Sequence, residues 1–402
     1  MKEQEPLSKW ILAGLMAILV LAPTQFGIEI IKKNHLSLVD PVVWATFALW
    51  LFGQARSGAW RSWKVPLALP LLFVAITALS LVKTPNLVKS ANKILQQAEY
   101  FIAAYLLFST ALSNPRAFKL LLNTFLVVAS AVVLLGLVQY AMPAIPSFQV
   151  RSTFGNSNVF GGFLSLVLPL MFGLWLGTTD HGRRTWYLFI ILAGGAAVLS
   201  GGSFLALVFS FGCMAAARGW KAFLGTAVVF FLLAFAVLPL LPRHNLEVQK
   251  ESVNLYNDDG DVNRRYAEWQ AAVEMTREHP LLGVGSGCYQ EKIGTFYGTI
   301  PVMGGSAAQA DSQNLYLVLA ASIGLPGLAA FLGLLLGAGA LAVRKAVAGG
   351  AAAPAGLYLG VAGSLIAFGV NGIWSPLLVR GIGIPLVFIL ALAVCAPKER
   401  EG

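Results

Sequence analysis

Residues 119–142 read KLLLNTFLVVASAVVLLGLVQYAM, and this stretch decides the solvent in which the chain folds. After Lys119 it holds no charge, and it exceeds the roughly 20 residues that a helix needs to cross a bilayer. The pattern recurs at 10–31, 38–53, 65–82, 97–112, 159–177, 186–201, 203–217, 222–241, 315–343, 354–374 and 377–396. By the same length criterion the chain is predicted to be all-α, a polytopic membrane protein of about twelve transmembrane helices. Almost no loop separates the two segments that meet at Gly201-Gly202-Ser203, and the 315–343 segment is interrupted at Gly324-Leu325-Pro326-Gly327.

The composition agrees. The chain is 57% hydrophobic and 11% charged, against about 25% charged in soluble domains, and its mean hydropathy is +0.73. The net charge of +10 is scattered in short clusters between apolar runs, which excludes a nucleic-acid face. Of the three cysteines, Cys213 and Cys395 lie in apolar runs and Cys288 stands alone in a polar stretch, so neither a disulfide nor a metal site is expected. The first apolar run is interrupted by Pro23, Gln25 and Glu29 without a cleavage pattern and reads as a first span.

Lys and Arg set the orientation, because cytoplasmic loops carry the excess. With the N-terminus inside, the inner segments hold Lys2, Lys9, Arg56, Arg61, Lys64, Arg116, Lys119, Arg183, Arg184, Arg218, Lys221, Arg344, Lys345, Lys398 and Arg400. The short outer segments hold only Lys32, Lys33, Lys83, Lys89, Lys93, Arg151 and Arg380. Both termini are therefore expected in the cytoplasm, and Lys83, Lys89 and Lys93 are outward exceptions that need a reason. The chain divides into helices one to nine over 1–241, a large structured outer loop over 242–314, and the last three helices over 315–402.

In that loop Asn257-Asp258-Asp259-Gly260-Asp261 is a turn cluster that supplies a helix cap. Val262, Tyr266, Trp269 and Val273 follow at helical spacing, predicting an amphipathic helix to about Glu278, ended by His279-Pro280. The alternating glycines of Pro280-Leu281-Leu282-Gly283-Val284-Gly285-Ser286-Gly287 suit either an anion cradle of backbone amides or a tight turn tucked against the membrane. Within the membrane, Glu29, Glu99, Asn371 and Arg380 are the polar residues to explain; Glu99 lies within two turns of Lys93, and a structural ion pair is expected.

Three segments, in order, resemble the O-antigen ligase and polymerase superfamily. They are Arg151-Ser152-Thr153-Phe154-Gly155-Asn156-Ser157-Asn158; Arg265-x-x-x-Trp269 with the Pro280–Gly287 turn; and Asp311-Ser312-Gln313-Asn314-Leu315-Tyr316-Leu317 followed by Gly324-Leu325-Pro326-Gly327. Together they cover about the central half of the chain. Two positions depart from the family pattern. Gln313 stands where the family carries a loop histidine, and Ser200-Gly201-Gly202-Ser203 lacks the arginine of the ligase segment. Glutamine can hydrogen-bond a hydroxyl but cannot take its proton.

The resemblance implies a glycosyltransferase-C-like fold in the bacterial inner membrane. It also implies transfer of a glycan, at the periplasmic face, from an undecaprenyl-pyrophosphate carrier to a glycan or lipid A-core acceptor, by a polymerase or a ligase. No cofactor is implied; membrane lipids are the remaining partner. Fixed cations can stabilise a diphosphate leaving group without a metal, which gives the outward lysines a purpose; the alternative, equally open for Lys83 and Lys89, is that they snorkel to lipid phosphates. The implied diphosphate ligands are Arg265 and Lys93 first, then Arg264, Lys89 and Arg151, with Gly283 and Gly285 approaching by their backbone. Gln313 and Asn314 would orient the acceptor hydroxyl; Asp311 is the nearest carboxylate for a base and Glu291 and Glu268 are more distant candidates, each also readable as a solvated loop charge, while of the loop histidines 244 and 279 the latter reads as structural. Tyr266, Trp269 and Tyr316 suit the membrane interface. The alternatives are a non-catalytic relative of the same fold, prompted by Gln313 and Gly201, and a lipid-linked glycan transporter, for which neither internal symmetry nor an acidic chain is found.

Overall fold

The computed structural model describes residues 8–24, 27–31, 34–58, 65–142, 145, 150–198, 202–237, 260–296, 312–349 and 353–395. Each apolar segment identified in the sequence contains a helix among the described residues, over its whole length or part of it. In chain order these are α1 (Lys9–Leu21), α2 (Val39–Ser57), α3 (Ala68–Leu79), α4 (Leu87–Ala98), α5 (Tyr105–Leu112), α6 (Pro115–Ala141), α7 (Ser157–Gly177), α8 (His181–Ala197), α9 (Gly202–Arg218) and α10 (Trp220–Val237). The loop contributes α11 (Gly260–Glu278) and α12 (Tyr289–Lys292), and the chain continues with α13 (Leu315–Ala348), α14 (Ala353–Asn371) and α15 (Gly383–Val394). Among the described residues α6, α7 and α13 are long and apolar enough to cross a membrane on their own.

Two expected spans change: in 377–396 the helix begins only at Gly383 and ends at Val394, and the first run is broken. The 10–31 run is not a single helix: α1 stops at Leu21, ahead of Pro23, and the chain then forms an antiparallel hairpin of β1 (Gly27–Ile31) and β2 (Asn34–Ser37). Proline after a helix C-terminus prevents its continuation, and the β-branched Ile28, Ile30 and Ile31 suit a strand.

Small residues set the closest packing. A Cβ on Gly356 of α14 would lie 2.6 Å from the Gly173 carbonyl oxygen and 2.8 Å from Gly177 Cα, and one on Gly360 would lie 2.7 Å from the Leu170 carbonyl. The four-residue spacing on both helices brings the two backbones together, as expected where lipid supplies no hydrophobic drive for helix association. At the other end of α14 Asn371, fully buried, donates from Nδ2 to Ser165 Oγ at 3.0 Å and Ser203 Oγ at 3.1 Å. That joins α7, α9 and α14 and satisfies an amide that would be costly unpaired in an apolar interior.

Polar contacts between helix ends segregate into two sets. At one end, Arg380 pairs with Asp40, Thr153 Oγ1 donates to the Pro23 carbonyl, the Ser286 amide donates to Ser80 Oγ, and the Leu315 amide donates to the Gly372 carbonyl. At the other, Lys345 Nζ caps the carbonyls of Ala393 and Val394, and Cys395 Sγ meets the Ser109 carbonyl. Each contact joins segments that the Lys/Arg pattern assigns to a common face. The first set is called the loop end below.

Candidate functional site

The loop end is organised by α11 lying along the first half of α13. Ala267, Ala271, Ala272 and Met275 of α11 pack with Val284, Tyr289, Ile293 and Ala321 into a small apolar core separate from the main one. Alanines at these positions let α11 approach closely, and Trp269 then reaches over the start of α13, its Nε1 donating 2.8 Å to the Ser312 carbonyl. Asn314 is the N-cap of α13: its Oδ1 accepts from the amides of Tyr316 at 3.0 Å and Leu317 at 3.1 Å, covering donors that a helix start leaves open.

Between these two anchors stands Gln313. Its φ is 47°, and only one other described non-glycine residue, Ser152 at 51°, has a positive φ. Such a conformation costs on the order of 1–3 kcal/mol and persists where the surroundings enforce it. For Gln313 they do, because Ser312 and Asn314 on either side are buried while Gln313 is half-exposed. For Ser152 the clamp is Gln139, whose Oε1 accepts the Ser152 amide at 2.7 Å and whose Nε2 donates to its carbonyl at 3.0 Å; Ser152 Oγ also donates to the Val132 carbonyl at 2.6 Å. Both strained residues fall within motifs read from the sequence, one beside Arg151 and one beside Asn314.

The glycine-rich turn takes the packing alternative. The amides of Gly283, Val284 and Gly285 donate to the carbonyls of His279, Ala321 and Ser322 at 3.0, 2.9 and 3.1 Å. Gly324 breaks α13 with φ 76° and ψ 173°, and the Leu325 amide donates to the Pro280 carbonyl at 2.8 Å. The turn thus runs beside the broken helix and satisfies groups freed by the break. A Cβ on Gly283 would strike the Ser322 backbone, one on Gly324 the Leu281 carbonyl, and one on Gly285 would lie 2.8 Å from Thr84 Cα. Gly283 and Gly285 are therefore packing glycines, with no amide left to cradle an anion.

The outward lysines separate. Lys89 is paired with Glu291, which makes the two a bridge between α4 and α12. Lys93 is half-buried and donates to Gln96 Oε1 and the Leu378 carbonyl, each at 2.9 Å. Burial first, and the neighbouring Arg380 second, bring its ammonium down to about 8. The expected Lys93–Glu99 ion pair does not form. Glu99 instead couples electrostatically with Asp40 and Arg380; six residues beyond Lys93 on a regular helix, it falls on a different face, since only side chains three or four apart are neighbours. Lys83 lines a cleft of about 320 Å³ with His279, Glu278, Lys292, Thr295 and Phe296. Arg151 is exposed at the loop end.

Arg264 and Arg265 sit in α11, the second of them one turn ahead of Trp269; their side chains lie outside the described residues. So do Asp311, His244, Ser200 and Gly201. Asn314 is committed through its Oδ1 to capping α13, which gives it a positioning role. Cys288, read as a lone loop residue, is fully buried against Thr84 and Ser90. The Lys83–His279–Lys292 cleft was missed. Lys83 and Lys292 are far apart in sequence, and only the outward bias of Lys83 hinted at it.

Residues 153–332 match the family model described as O-Antigen ligase, a family of glycosyltransferase-like enzymes. No curated protein matches the chain.

Proposed function

We propose, on the premise that the chain belongs through residues 153–332 to the O-antigen ligase and polymerase superfamily, that it transfers a glycan from an undecaprenyl-pyrophosphate carrier to a glycan or lipid acceptor. The loop end is then the periplasmic face of the inner membrane, as the Lys/Arg distribution favours. In the reaction the acceptor hydroxyl oxygen bonds to the anomeric carbon while the bond from that carbon to the diphosphate oxygen breaks. The diphosphate leaves on its carrier and the hydroxyl proton passes to a carboxylate, for which we assign Asp311.

The observation that carries this reading is the Ser312–Asn314 turn. Trp269 holds it from one side and the α13 cap from the other, leaving the strained Gln313 as its accessible residue. Arg265 lies one turn before Trp269 on α11, and that spacing on the helix supports assigning it to the same corner of the loop end. Arg265, supported by Arg264 and Arg151, is assigned to the diphosphate, where fixed positive charge offsets the charge that grows as the bond breaks. Lys93, partly desolvated beside Arg380, adds to that potential, and Lys89 acts through its pairing with Glu291. Gln313 orients the acceptor hydroxyl. Being unable to accept a proton, it also keeps a non-catalytic relative as the competing reading.

Deleting the gene and sizing the surface glycan tests the proposal. A product of single repeats assigns the chain as a polymerase, and long chains retained on the carrier assign it as a ligase. Unchanged surface glycan overturns the transferase reading.

A further inference from the structure

The cleft lined by Lys83, Lys292, His279 and Glu278 lies apart from the Gln313 turn. It sits against the break in α13, since its Gly283 and Val284 flank Ser322 and Ala321. At 1.5 Å per residue that break is roughly 15 Å along α13 from the Asn314 cap. The 34 residues of α13 exceed what a bilayer core of about 30 Å requires, and the part after Gly324 suffices to cross it. A span that runs from Leu325 would put the break, and the cleft beside it, at the outer boundary of the hydrocarbon.

Its surroundings agree. Val82 is 75% exposed, Leu281 69% and Leu325 51%, and all three adjoin the cleft: Val82 precedes Lys83, Leu281 lies in the same turn as Gly283, and the Leu325 amide bonds to Pro280. Inside, the basic side chains outnumber the single carboxylate of Glu278. Among the described residues neither Lys83 nor Lys292 has an ion-pair partner, whereas nearby Lys89 is paired with Glu291. Unpaired cations in a small cleft beside exposed apolar side chains at the membrane boundary complement an anionic headgroup whose chains lie over Val82, Leu281 and Leu325. The volume, about 320 Å³, is at the small end of ligand pockets and suits a phosphate with a compact substituent.

We infer that this cleft is a binding site for the phosphate headgroup of an anionic membrane lipid, separate from the transfer site and able to fix the glycine-rich turn against α13.

The test is native mass spectrometry of the purified full chain in detergent with phosphatidylglycerol, phosphatidylcholine or inorganic phosphate as probe. Phosphatidylglycerol is expected to be retained in preference to phosphatidylcholine, and inorganic phosphate should not displace it. Lys83→Gln with Lys292→Gln should weaken retention roughly tenfold or more, since each lysine near a membrane surface contributes on the order of a factor of five. Arg277→Gln, exposed on α11 outside the cleft, should leave retention unchanged. Glu278→Gln removes the one carboxylate and should strengthen it, a gain that misfolding cannot imitate. Equal retention by the double variant, no preference between the two lipids, or displacement by inorganic phosphate alone would each overturn the assignment.

Discussion

Trp269 Nε1 and the Ser312 carbonyl oxygen are 2.8 Å apart across 43 residues of chain, and this one hydrogen bond ties the loop helix to the turn that carries Gln313. Trp269→Phe keeps most of the ring's packing and removes the donor. The cost in stability should be about 1 kcal/mol, but the turn loses one of its two anchors. Hydrogen exchange of the amides at 312–314 should accelerate, and glycan transfer should fall further than thermal stability does.

Lys93 gives a pH signature in two readouts of opposite sign. Its folded-state value is about 8, below the ordinary 10.5. Between these values the unfolded chain binds the proton and the folded chain does not, so stability rises with pH across that window. Below about 8 both states are protonated and the burial penalty is fully present. If the Lys93 cation assists the diphosphate, the transfer rate should fall as pH rises through about 8. Lys93→Met should remove the rise in melting temperature between pH 8 and 10.5, and a wild-type curve already flat there would contradict the assignment.

Asp40 is buried, and its Oδ2 receives both Arg380 and the Ser37 amide, the latter at 3.1 Å. Arg380→Ala strands that carboxylate beside Glu99 and should cost on the order of 3 kcal/mol. Adding Asp40→Asn should recover part of the loss, read as melting temperature in detergent. No recovery would mean that the two side chains act independently.

Gly324→Ala forces a left-handed conformation on alanine and drives its Cβ into the Leu281 carbonyl. Strain and overpacking each cost about 1–3 kcal/mol. Folded protein recovered from membranes should drop sharply, whereas Gly294→Ala, which meets nothing within 4 Å, should be tolerated.

Because Cys288 is buried, an impermeant thiol reagent should not label it from either side. Arg277→Cys, at an exposed position on α11, should label in intact spheroplasts, and Arg183→Cys only after lysis. The reverse pattern would invert the topology.

Much of this arrangement was legible in the sequence because it rests on local chemistry. Helical spacing from Val262 to Val273 led to α11, although the face that packs is Ala267, Ala271, Ala272 and Met275 and Tyr266 is exposed; Gly324 with Pro326 marked the break in α13. The hairpin at Gly27–Ser37 was hidden by apolar residues that continue the α1 run in composition but not in conformation. What could not be read is pairing across sequence: Lys89 with Glu291, Lys93 with the Leu378 carbonyl, and the use of the glycine-rich turn's amides by Ala321 and Ser322. Each depends on which helix ends meet, and a run of apolar residues carries little information about its neighbours.

The most direct test of the account is the rate of glycan transfer from an undecaprenyl-pyrophosphate donor by membranes containing wild-type or Arg265→Ala protein at matched levels. The wild type should transfer glycan and the variant should lose roughly 100-fold to 1,000-fold, the scale seen when one fixed electrostatic donor is removed from a reacting centre. Transfer by Arg265→Ala at the wild-type rate, or none by the wild type with any acceptor, would contradict the transferase reading.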